Sequence, residues 1–140
     1  MPQTKLTVKT EFGTFTRKTA RPYTHIVIAC GREESFLRDQ SAKFLSYDKK
    51  EQAKYQAVID DDRFTDEYKQ VYRVWSDGLS KQILAAPARL EEKLEENTSK
   101  KDARIGVCLS WHSSKALALQ GAKTAKLDGY SDVRIVEVGA

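Results

Sequence analysis

At 140 residues, 40% hydrophobic and 31% charged, the chain has the size and composition of one soluble domain with a single core. No apolar run approaches the ~20 residues that a membrane span needs, and a formal charge of +4 permits contact with nucleic acid or an acidic protein surface without compelling it. The charge is unevenly spread: residues 1–30 and 103–140 carry ten Lys and Arg against four Asp and Glu, whereas residues 31–102 carry fourteen against sixteen.

The opening stretch Met1-Pro2-Gln3-Thr4-Lys5 lacks the apolar segment of a secretory signal, which predicts cytoplasmic residence and an unglycosylated Asn97-Thr98-Ser99 sequon. Leu6 and Val8 alternate with Lys5, Thr7 and Lys9, and Thr14 to Thr19 continues in β-favouring residues, so residues 5 to 18 read as a bent strand or a hairpin. Ala20-Arg21-Pro22 supplies a turn. Tyr23 to Cys30 is a nearly continuous apolar run stopped by Gly31, the pattern of a strand buried on both faces.

The middle reads as helix in pieces. Phe36, Leu37, Phe44 and Leu45 mark one apolar face, and Asp48 with Glu51 resembles a capping box that opens a second segment carrying Tyr55, Val58 and Ile59 inward. Asp60-Asp61-Asp62 punctuates. Thr65, Asp66 and Glu67 begin a third helix, with Tyr68, Val71, Tyr72, Trp75, Leu79 and Ile83 at helical spacing, and Pro87 is expected to end or kink it. Residues 88 to 97 then offer only Leu90 and Leu94 among glutamates, the pattern of a solvated helix projecting from the body.

Residues 104 to 138 read as a β-α-β unit. Arg104 to Leu109 is a strand, Ser113 or Ser114 caps a helix from Lys115 to about Asp128, Gly129 stands at its end, and Val133 to Val138 closes the unit as a parallel neighbour. The expected fold is a single α+β domain over 1–140. Residues 1–30 and 103–140 would form a sheet of three to five strands from both chain ends, and 31–102 a helical insert.

Among candidate sites, Lys5, Lys9, Arg17, Lys18 and Arg21, interleaved with Thr and with Phe12, Phe15 and Tyr23, form a stretch able to neutralise phosphates and stack on bases or meet an acidic partner. Lysines on an exposed strand also serve simply to discourage aggregation. Leu90, Glu91, Glu92, Leu94 and Glu95 make the insert a possible arm for a partner, and Tyr68, Tyr72 and Trp75 are either core or a partner surface.

His25, Trp111 and His112 form a possible polar site if sheet pairing joins the histidines, which could then serve a phosphoesterase. Two-histidine phosphoesterases repeat a His-x-Thr/Ser pattern that His112-Ser113-Ser114 meets and His25-Ile26-Val27 breaks. Cys108 and His112 lie about 13 Å apart along an extended strand, out of reach of each other. Cys30 and Cys108 sit in apolar runs and read as small hydrophobes. The aspartate run lacks the spaced ligands of a calcium loop, so neither a metal nor a cofactor is expected.

The patches Thr16 to Val27 (TRKTARPYTHIV) and Ser110 to Ala118 (SWHSSKALA) are similar to segments of small proteins of unassigned activity encoded by bacteriophages of actinobacteria. The two patches together span 21 of the 140 residues and leave the helical middle outside the resemblance. It implies a mobile-element origin and a place in the host bacterial cytoplasm, and carries over no functional residue.

The expected function is non-enzymatic binding of a protein or nucleoprotein partner, as an accessory factor or an inhibitor of a host defence complex such as an anti-CRISPR. The alternatives are weak, sequence-independent nucleic-acid binding through the basic strand, and a small phosphoesterase using His25 and His112.

Overall fold

The computed structural model describes residues 2–139. The basic stretch is a hairpin: β1 (Thr4–Thr10) pairs antiparallel with β2 (Gly13–Thr19) around a turn at Glu11 and Phe12. Because cross-strand partners share a face, Leu6, Val8 and Phe15 turn to one side of this ribbon and Lys5, Thr7, Lys9, Thr14, Thr16 and Lys18 to the other.

β3 (His25–Ala29) is the middle strand of a separate three-stranded sheet. β4 (Val107–His112) and β5 (Arg134–Glu137) flank it, both antiparallel to it. Its continuous apolar run is accounted for by what lies on each face. Ile26, Ile28 and Cys30 pack with Val8 and Phe12 of the ribbon, and Val27 packs with Ala118, Ala122 and Ala125 of α3 (Lys115–Leu127). Ribbon, sheet and helix thus form three layers, with β3 buried in the middle. Each of Ile26, Val27 and Ile28 contributes about 1.5–3 kcal/mol by burial.

The expected C-terminal unit is present with one correction. β4 and β5 are not neighbours, because β3 lies between them, so α3 crosses over an intervening strand. The helix ends were legible. Ser114 Oγ accepts from Leu117 N at 3.3 Å, while Gly129 (φ +80°) and Tyr130 donate to Lys126 O and Ala125 O, a Schellman stop. The expected sheet also divides in two: the ribbon packs as a layer on the three-stranded sheet and does not extend it.

The chain divides into two compact units, one running up to Glu34 and resuming at Glu95, the other Ser35–Leu94. The second is a helical hairpin. α1 (Glu34–Ile59) is one unbroken helix, so Asp48 caps nothing and instead lies half-buried in its interior. α2 (Asp66–Asp102) continues unbroken through Gly78 and Pro87. In the turn where Pro87 removes a backbone donor, the Arg89 guanidinium donates to Gln82 O at 2.9 Å.

Thr65 opens α2 as expected, its Oγ1 accepting from Tyr68 N at 3.2 Å. The two helices meet along a seam at coiled-coil spacing: Ser41, Leu45, Asp48, Gln52, Tyr55 and Ile59 against Tyr72, Ser76, Leu79, Ile83, Ala86 and Leu90. Gln52 fixes the register by donating to Ser76 O at 3.1 Å and Ser80 Oγ at 2.5 Å. Residues 88–97 are therefore not a separate projecting helix. Leu90 and Leu94 are half-buried, and Leu90 lies beside Ser41, Phe44 and Leu45. Among the described residues no helix is long and apolar enough to cross a membrane.

Candidate functional site

The outer face of the β1–β2 ribbon is built by register alone. Lys5 stands directly opposite Lys18, Thr7 opposite Thr16, and Lys9 opposite Thr14, all exposed. Like charges directly opposed on a sheet are unfavourable. The nearest acid along the ribbon, Glu11, is already engaged by Arg104 at 2.6 Å and Arg134 at 3.2 Å. Among the described residues no carboxylate comes within ion-pair distance of Lys5, Lys9, Lys18 or Arg21.

Arg17 departs from the expected basic set. It pairs with Leu6 on the inner side, and its guanidinium lies 4.8 Å from the Tyr23 ring, which in turn lies 6.1 Å from Trp111. The expected stacking platform is also turned inward. Phe12 is buried, Phe15 packs against the core, and Tyr23 lies between Arg17 and Trp111. The exposed face therefore offers ammonium and hydroxyl groups and no aromatic ring.

Sheet pairing does set the two histidines opposite each other. His25 stands opposite His112 in the β3–β4 register and opposite Glu137 in the β3–β5 register, giving a row across three strands. His25 Nδ1 and Thr24 Oγ1 share a hydrogen bond at 2.7 Å, and His25 Nε2 is 3.9 Å from Glu137 Oε1. His112 Nε2 and Ser110 Oγ share one at 2.6 Å, in a cleft of about 350 Å³ lined also by Gly121, Thr124, Asp128 and Tyr130.

Ser110 was missed from the sequence although strand alternation, placing i and i+2 on one face, could have found it. An activated serine needs a base whose far nitrogen is oriented by a third group. Among the described residues nothing hydrogen-bonds His112 Nδ1. Trp111 points to the opposite face, packed against Ile26, Ile28 and their neighbours, so His25, Trp111 and His112 are not one site.

The thiols are guarded. Cys30 Sγ donates to Lys100 O at 3.6 Å and Ile105 O at 3.5 Å, and burial, aided by Asp132, pushes its pKa above the ordinary value. Burial does the same for Cys108. Among the described residues no three His, Cys, Asp or Glu side chains converge as metal ligands. In the aspartate run, Asp61 is taken up by Arg63, whose guanidinium and backbone N–H donate to it and hold its carboxyl below the usual range.

In the helical hairpin, Phe64, Tyr68, Tyr72, Trp75 and Tyr55 form a chain of ring contacts with centroids 4.9–5.7 Å apart. The Tyr68 and Tyr72 hydroxyls are 3.0 Å apart. Phe64 was missed because the turn that brings it onto Tyr68 is a tertiary feature. Glu91, Glu92 and Glu95 are exposed, as expected for the solvent side of α2.

Compared with family models, curated proteins and solved structures, the chain matches none.

Proposed function

We propose that the protein is a non-enzymatic binding protein that grips a polyanionic backbone, most simply duplex nucleic acid within a nucleoprotein complex, through the outer face of its β1–β2 ribbon. The observation that carries this reading is the opposed pair Lys5 and Lys18, continued by Lys9, with no carboxylate within ion-pair distance among the described residues, and with Arg21 following just past β2. A row of phosphates relieves that repulsion. Lys and Thr are both phosphate-contacting side chains, and a two-stranded ribbon fits the width of a duplex groove.

Within β1 and β2 the outer face carries no Arg, Asn or Gln with which to read base edges, Arg21 lying beyond the end of β2, so binding is sequence-independent, and no ring to stack on, so duplex is preferred over single strand. Such a contact suits an accessory factor or inhibitor that acts on a nucleoprotein complex in the bacterial cytoplasm.

Fluorescence anisotropy with a labelled duplex of roughly 20 base pairs tests this, with an expected Kd of roughly 10⁻⁴–10⁻⁶ M. Four contacts from Lys5, Lys9, Lys18 and Arg21 give a log–log salt slope of about −3 to −4. The triple variant Lys5→Glu/Lys9→Glu/Lys18→Glu should fold and lose binding, whereas Arg17→Gln should keep it. A folded triple variant that binds as tightly as wild type removes the ribbon from consideration.

A further inference from the structure

The two units differ in how well they complete their cores. All ten buried hydrophobic residues among those described belong to the sheet unit, and none belongs to Ser35–Leu94. A pair of helices needs a second layer to bury its apolar sides. The hairpin instead leaves large side chains open along one flank. On α2, Trp75, Gln82 and Arg89 each precede a seam residue by one position, and on α1 Phe44 and Tyr47 do the same.

Phe44 shares a groove with Gln82 and Arg89, which places these preceding positions of both helices on the same side. Phe44 is 61% exposed, Tyr47 62% and Trp75 50%, and Tyr68 and Val71 continue the strip toward the turn. Gly78, three residues beyond Trp75, leaves open space where a Cβ would stand.

We propose that this flank is covered by a second copy of the chain, two hairpins pairing about a two-fold axis into a four-helix bundle. The dimensions fit. The 26 residues of α1 extend about 39 Å, and two helices side by side give a face about 20 Å wide, near the ~800 Å² per partner of a stable interface.

The charge fits as well. Ser35–Leu94 carries eleven Lys and Arg and eleven Asp and Glu, so two hairpins do not repel although each whole chain is +4. A closed pair of this kind yields a four-helix core with apolar seams inside. The inference stands apart from the ribbon, none of whose residues it uses.

Sedimentation equilibrium of the full chain, from about 1 to 100 µM, covers the micromolar end expected for an interface of this size. The expected mass is twice the 15.9 kDa of the chain. Phe44→Glu/Tyr47→Glu should give a folded monomer by circular dichroism. Leu84→Glu, exposed but following a seam residue and so on the other flank, should remain a dimer. A wild-type monomer throughout the range overturns the proposal, as does a dimer that survives Phe44→Glu/Tyr47→Glu or is lost equally in Leu84→Glu.

Discussion

Asn97 holds the backbone of Arg32 with both ends of its amide: Oδ1 accepts from Arg32 N at 2.6 Å, and Nδ2 donates to Arg32 O at 2.8 Å. A side chain of α2 thus stands in for a neighbouring strand just after β3 has ended. Gly31 makes the close approach feasible, with φ at +74° and no room for a Cβ, which would lie 2.8 Å from Asn97 Oδ1. The same bonds leave the amide of the Asn97-Thr98-Ser99 sequon half-buried and already hydrogen-bonded.

Replacing Asn97 by Ala should lower stability by about 1–3 kcal/mol, because two partly buried backbone groups lose their partner. Gly31→Ala should cost at least as much, adding left-handed backbone strain to the clash. Urea midpoints measure both. An unchanged midpoint for Asn97→Ala would mean that water replaces the clamp without loss.

Two helical glycines should respond to alanine with opposite signs. At Gly121 a Cβ would lie 2.6 Å from His112 Nε2 and 3.2 Å from Ser110 Oγ, so Gly121→Ala should destabilise by about 1–3 kcal/mol. In a His112→Ala background the same change should become neutral or favourable. At Gly78 the space is open, and Gly78→Ala should raise the stability of the hairpin by about 1 kcal/mol through helix propensity. Thermal melts of wild type, the three single variants and the double variant give the comparison, and equal signs at the two sites would contradict the packing described at Gly121.

The raised thiol pKa values set a pH dependence. For a group whose native pKa lies above its unfolded value, stability is full below the unfolded value and falls as pH rises through the native one. For Cys30 the loss therefore begins near 9.0 and grows above it. Stability of wild type should fall more steeply than that of Cys30→Ala between pH 8 and the alkaline limit of folding, and both thiols should resist alkylation at neutral pH until the chain is unfolded. Rapid labelling of native protein would show that the sheet interior is open.

Continuity of the hairpin makes a further prediction. Because Leu90 lies in the seam and Asn97 clamps Arg32, deleting residues 88–100 should abolish cooperative unfolding, where an independent solvated arm would have been dispensable. Hydrogen exchange should show protection across Leu90 and Leu94 comparable to that across Leu45. Fast exchange there would restore the separate-arm picture.

Much of the sheet unit was legible because its signals are local. The apolar run ending at Gly31, the Ser114 cap and the Gly129 stop each act within a few residues. What escaped the sequence depends on partners far along the chain. Asp48 with Glu51 reads as a capping box that divides α1, because a polar stretch inside a helical seam makes sense only once its partners stand opposite, as Ser76 and Ser80 do for Gln52. Pro87 reads as an end or a kink because propensity cannot foresee that the helix continues past it. The insertion of β3 between β4 and β5 is a non-local pairing. The inward turn of Arg17 follows from register, which a one-residue slip would reverse.

The ribbon face is tested most directly by amide chemical-shift mapping of isotopically labelled protein titrated with a short DNA duplex. The account predicts that perturbations gather on Lys5 to Lys9 and Thr14 to Lys18, extend to Arg21, and fade as salt is added. Perturbations centred on the His25–His112 row or along α1 and α2, with Lys5 and Lys18 unmoved, would contradict it.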